Sequence, residues 1–158
     1  MRRPYQPVLW PITWMLIAAF ILTVLPLPLA LQWWQPPWVL FVLLSWTIRT
    51  PEQFPVSLAW FAGLVLDLYT GTVLGMHALI YVLAVFTIKR YHHRWQSQPN
   101  WVRLIGAYAL FLGAYLLQYA IMRWASPAPP VLSFWFSLVS ACVLWPFVFV
   151  VLRMIQRR

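Results

Sequence analysis

Two carboxylates, Glu52 and Asp67, are the only acidic side chains in this 158-residue sequence. Paired carboxylates can run general acid–base chemistry when they flank one bond. These two are separated by an apolar stretch whose ends are expected at opposite membrane faces, so no such pair forms. The three histidines offer no better start. His92 and His93 are adjacent and expected to point apart on a helix, while His77 falls on the other side of the apolar layer, so no metal-ligand spacing emerges. Ser133, Ser137 and Ser140 lack a basic partner on their own face to activate a nucleophile. Cys142 is the sole cysteine. It lies inside an apolar run, which excludes a disulfide within the chain and a thiolate metal cluster and reads as a small core residue. The sequence therefore points to no catalytic residue, no bound metal and no cofactor.

One residue still demands an explanation. Asp67 is the only aspartate and stands in "FAGLVLDLYTGTVLG", where apolar neighbours should expel a charge. Even lenient insertion scales set the cost of a carboxylate at the bilayer centre at a few kcal/mol. Gly63, Asp67 and Gly71 recur at i, i+4 and i+8, with Gly75 one step further, so the glycines share a helical face with the carboxylate. Such a strip lets another backbone approach closely. Asp67 comes about three residues before the Gly71 turn, and a helix C-terminus is the wrong end for a negative charge. It needs a donor. Two are available: the free N–H groups opening the next segment near Met76 and His77, or Arg123. The expected role is to pin the hairpin; a direct ligand, ion or partner contact is the sharper alternative. An Asp67→Asn change is expected to be mild with amide donors and disruptive with Arg123.

The elements that must position Asp67 follow from composition. The chain is 63% hydrophobic, only 8% charged, and has a mean hydropathy of +0.76, against about 25% charged in soluble domains. No water-facing surface can be assembled from this pool, so a single all-α transmembrane domain over 1–158 is expected. Six apolar segments can be marked: Val8 to Leu25, Pro37 to Ile48, Phe54 to Thr70, Met76 to Ile88, Trp101 to Trp124 and Val131 to Leu152. "TPEQFP", "SQPN" and "SPAPP" punctuate most joints, and the glycine-rich "TGTVLG" joins the third and fourth. The second segment is short, about 18 Å at 1.5 Å per residue, so it must pack among its neighbours. Its lead-in "LQWWQPPW" suits an interfacial depth, with Trp33, Trp34 and Trp38 as anchors.

Eleven basic residues give a net charge of +9. In a soluble chain that would suggest nucleic acid. Here the basic residues lie at the ends of apolar segments, so the reading is no nucleic acid but contact with anionic lipids. Six crossings with both termini inside put every basic residue except Arg123 on the inner side, ten against one. A five-span chain with its N-terminus outside would lose only Arg2 and Arg3 to the outer face.

"PPWVLFVLLSW", "FAGLVLDLYTGTVLGMHAL" and the closing "VLWPFVFVVLRMIQRR" together resemble the rod shape-determining protein MreD family. The family pattern is an aromatic-led second span, G-x-x-x-D-x-x-x-G-x-x-x-G, and a basic tail after Trp-Pro in the last span. It falls here on Trp38, Gly63, Asp67, Gly71, Gly75, Trp145 and Pro146, with Pro37 where relatives often carry a polar residue. The resemblance implies a non-enzymatic inner-membrane scaffold of the bacterial elongation and peptidoglycan-synthesis machinery. Its implied partners are a bitopic MreC-like protein, an MreB-like filament, and a RodA-type glycosyltransferase with its transpeptidase. It also implies a six-span bundle similar to the substrate-binding S-components of vitamin transporters, and hence an alternative function as a small-molecule-binding transport subunit. The small-xxx-small docking strip of such subunits is absent from the first span, where Leu22 stands four residues after Ala18.

Overall fold

Proline sets several helix starts in this chain. Pro37 and Pro55 directly precede helices, where their missing N–H is not needed and their fixed φ suits helix entry. The computed structural model describes residues 9–26, 28, 34–96, 98–125 and 131–155. Those residues form six helices: α1 (Leu9–Val24), α2 (Trp38–Arg49), α3 (Val56–Thr70), α4 (Met76–Gln96), α5 (Asn100–Ala125) and α6 (Val131–Ile155). No strand occurs among the described residues. Trp33, Arg2, Arg3, Arg157 and Arg158 lie outside them.

The fourth segment runs further than its hydropathy suggests. Ile88 ends the apolar run, yet α4 continues through "KRYHHRWQ" to Gln96. Charged residues propagate a helix well once it is nucleated, and the first strong stop is Pro99. His92 is buried and His93 exposed, so the two take different faces of the helix, with their ring centroids 5.7 Å apart.

The short α2 is the centre of the fold. Nine of its 12 residues are buried, and it packs against α1, α4 and α6, while α3 pairs most closely with α4. Phe41 of α2, Phe111 of α5 and Trp145 of α6 meet as an aromatic triad. Their centroid separations are 5.1 Å (Phe41–Phe111), 5.6 Å (Phe41–Trp145) and 4.7 Å (Phe111–Trp145). The two Phe111 pairs are edge-on and Phe41–Trp145 is tilted; edge-on pairs add about 0.5–1.5 kcal/mol beyond area burial. In lipid, where tails are as apolar as leucine, such packing contributes more to helix association than water exclusion does.

Pro146 lies one residue past Trp145, inside α6. Having no N–H, it leaves the carbonyl of Cys142, four residues back, without its helical donor. The Tyr108 hydroxyl of α5 donates to that oxygen at 3.1 Å. The neighbouring helix thus satisfies the group that proline frees, as a dry environment requires.

The outer surface is apolar. Trp10, Leu68, Leu74, Ile105, Trp124 and Phe147 are all exposed, far more than a water-facing monomer displays. Among the described residues, one helical stretch, Ile105–Ala125, is long and apolar enough to cross a membrane alone, and four shorter apolar helices accompany it.

Candidate functional site

The α3–α4 hairpin is built around its glycines. At Gly63 an added Cβ would collide with the backbone N and Cα of Ala78 and stand 2.7 Å from the His77 carbonyl carbon. The two helices cross there backbone to backbone, which explains why α3 and α4 form the most intimate pair in the fold. Gly71 then ends α3 in the left-handed conformation (φ 63°, ψ 23°), and Gly75 precedes α4 at φ 92°. Both angles favour glycine.

These turns bring the start of α4 onto the Asp67 carboxylate, which is fully buried. Oδ2 accepts the Gly75 N–H at 2.9 Å and the Ala78 N–H at the longer distance of 3.5 Å. Oδ1 accepts the His77 N–H at 3.0 Å and the Thr72 hydroxyl at 3.1 Å. The His77 ring donates to the same oxygen through Nδ1 at 2.7 Å. The Met76 N–H goes instead to the Val73 carbonyl at 3.0 Å. All four N–H groups that open α4 therefore have an acceptor, three of them on one side chain. Asp67 sits at the unfavourable C-terminal end of its own helix but at the favourable N-terminal end of the next. It caps α4 from outside that helix. Arg123, exposed at the C-terminal end of α5, is not among its partners.

His77 extends this cluster to a third helix. With its Nδ1 proton on the carboxylate, the ring presents Nε2 as acceptor, and the Gln118 amide of α5 lies 3.3 Å from it. An Asp–His pair is the orienting half of many proton relays. Here the outward nitrogen meets a carboxamide rather than a hydroxyl or thiol, so the chain Asp67–His77–Gln118 joins three helices without presenting a nucleophile.

Next to this chain is a cavity of about 270 Å³, lined by residues from all six helices and the 35–37 segment. Trp38 and His77 are on its wall, together with Tyr81, Tyr115, Gln118 and Ser137. On the far side Tyr115 and Ser137 share a hydrogen bond at 2.9 Å, and Ser137 donates to the Gln35 carbonyl at 2.7 Å. The Gln35 side chain donates to the carbonyls of Leu22 and Thr23 at 3.1 and 2.8 Å, closing the end of α1.

The structure thus gathers Gly63, Asp67, Gly71 and Gly75 into one cluster and places Trp38 on the adjoining cavity. Trp145 and Pro146 lie apart, in the aromatic core. Sequence reasoning named the His77 N–H as a donor but missed the His77 ring, Thr72, Gln118 and Tyr81. A usable signal existed for two of them: Thr72 and His77 flank the turn of a carboxylate that must find donors.

The chain matches the family described as rod shape-determining protein MreD over residues 1–155. It belongs to that family. A "Rod shape-determining protein MreD" of Haemophilus influenzae is 26% identical over 145 residues, covering 90% of this chain and 88% of the relative. No solved structure matches the chain. MreD proteins are membrane-associated and have a role in rod-shape determination, a setting that suits the apolar exterior described above.

Proposed function

We propose that this MreD protein is a non-enzymatic scaffold of the cell-elongation machinery in the bacterial inner membrane. It crosses the membrane six times with both termini cytoplasmic, as one domain. In this reading it binds an MreC-like bitopic protein and links it with an MreB-like filament and the RodA-type glycosyltransferase–transpeptidase pair. The observation that carries the proposal is the Asp67 cap. A buried carboxylate holding three backbone N–H groups fixes the α3–α4 crossing in one geometry, and that hairpin displays a row of exposed apolar side chains, Phe61, Val65 and Leu68. A rigid surface of this kind is what a scaffold offers to partner helices, because little ordering cost remains at binding.

The ten-to-one distribution of basic residues supports the topology, and each inner-face lysine or arginine contributes roughly 1 kcal/mol of attraction to anionic lipid. Two experiments test the proposal. Reporter fusions after Arg3 and Arg158 should both read cytoplasmic; an outside signal at Arg3 would favour five spans. Affinity purification from detergent-solubilised membranes should recover cell-wall synthesis proteins. Recovery of an ATPase pair in their place would move the protein to the transport class.

A further inference from the structure

The cavity beside the Asp67 cluster contains a polar group that the fold leaves unused. Tyr81 is 97% buried, with a relative exposure of 3%, and lines the cavity. Its ring lies edge-on to His77 at 6.0 Å between centroids, yet its hydroxyl makes no hydrogen bond among the described residues. A buried phenol normally finds a partner, and the partner open to this one is whatever fills the cavity. Two other tyrosines do find partners: Tyr108 caps the carbonyl freed by Pro146, and Tyr115 pairs with Ser137. Tyr81 differs in that it opens onto space.

That space is too large and too polar to stay empty. At roughly 30 Å³ per water, about 270 Å³ holds some nine molecules. The wall also has a definite chemistry. It combines aromatic rings from Trp38, Tyr81 and Tyr115 with the carboxamide of Gln118 and the hydroxyl of Ser137, and among the described lining residues there is no arginine, lysine or acidic side chain. The nearby negative charge of Asp67 is already held by amides and His77. An anion would therefore enter without a counter-charge, and a cation would find its only carboxylate engaged; either would bear an uncompensated desolvation cost. Aromatic rings with neutral donors and acceptors suit an uncharged, hydroxyl-rich guest.

We infer that this cavity is a binding site for an uncharged hydroxyl- or amide-bearing group of about monosaccharide size, with Tyr81 as a recognition residue. The group is supplied either as a free solute or as the headgroup of an uncharged glycolipid. The site is independent of the scaffold reading, because partner binding on the hairpin surface does not require it.

The test uses the full-length protein in nanodiscs and three probes that share one ring but differ in charge: N-acetylglucosamine, glucosamine and glucuronate. Saturation-transfer NMR titrations are run in discs with and without monoglucosyl diacylglycerol. Saturable binding of N-acetylglucosamine over both charged probes identifies a free solute. Saturable incorporation of the glycolipid, without free-sugar binding, identifies a headgroup. In either case Tyr81→Phe should weaken binding two- to tenfold, the worth of one neutral hydrogen bond, with helicity and unfolding midpoint unchanged. Ala114→Phe, which fills the cavity from its α5 wall, should abolish it. Absence of saturation by both the sugar and the glycolipid would overturn the proposal. So would equal binding of glucuronate, or unaltered affinity in a folded Tyr81→Phe protein.

Discussion

Replacing Asp67 by leucine removes an acceptor and leaves its donors in place, which makes the cost calculable. The His77 N–H and the His77 Nδ1–H are buried and closely held by Asp67, the Gly75 N–H is only partly buried, and the Ala78 N–H, though buried, lies at 3.5 Å and adds little. Stranding a buried donor costs about 1–3 kcal/mol, so two of them set a range of about 2–6 kcal/mol. Interhelical hydrogen bonds in membranes average about 0.6 and reach about 1.7 kcal/mol, because the unfolded chain in lipid also finds partners. Bonds to a carboxylate belong at the upper end of that scale. Two at the upper value give roughly 3 kcal/mol, which is the expected loss. Asp67→Asn should be intermediate rather than mild. Gly75 and His77 donate to different oxygens, so an asparagine turned either way keeps one acceptor and aims its own N–H₂ at a second donor, at a cost of about 1–3 kcal/mol. Unfolding in mixed micelles, titrated with a denaturing detergent and followed by tryptophan fluorescence, measures both. An Asp67→Leu protein within about 0.5 kcal/mol of the parent would refute this account of the cap, as would an asparagine variant less stable than the leucine one.

Tyr108→Phe should cost about 0.5–1.5 kcal/mol by freeing the Cys142 carbonyl, and Pro146→Ala should suppress most of that loss by restoring the helical N–H. Additive effects in the double-mutant cycle would contradict the assignment. Gly63→Ala should destabilise by about 1–3 kcal/mol because the methyl group meets the Ala78 backbone. Gly113→Ala, where an added Cβ meets nothing within 4 Å, should be neutral or stabilise by up to about 1 kcal/mol; similar losses at both sites in the same titration would sink the close-crossing argument. At Gly71 valine should be clearly worse than asparagine, since only the latter tolerates the left-handed region, and equal unfolding midpoints would show that the turn can relax.

The sequence made Asp67 conspicuous because a charge in an apolar segment has few physical solutions, and its four-residue register with Gly63 and Gly71 placed it on a helix-packing face. Apolar windows and proline punctuation located the helices, since both are local signals. What they missed depends on tertiary placement. The hydroxyl of Tyr108 meets Cys142 across 34 positions, and no local pattern couples a tyrosine in one helix to a proline in another. His77 looked isolated because the turn at 71–75, not helical spacing, folds it back onto Asp67. The reach of α4 beyond its apolar segment has a different reason: hydropathy reports where the apolar layer stops, whereas the backbone helix ends only where its hydrogen bonding does. The cavity was illegible altogether, as its wall is drawn from every helix. The reasons for Trp145 and Pro146 likewise emerge only with the aromatic triad and the rescued carbonyl in view.

The central claim is that shape determination by this chain depends on the α3–α4 geometry held by Asp67. It is tested most directly in rod-shaped cells depleted of their own MreD and supplied with this chain or its Asp67→Leu variant at matched membrane levels. Cell width and length are measured by microscopy. The account predicts rods with the parent chain and widened, rounded cells with the variant. Rods of normal width with Asp67→Leu would contradict it.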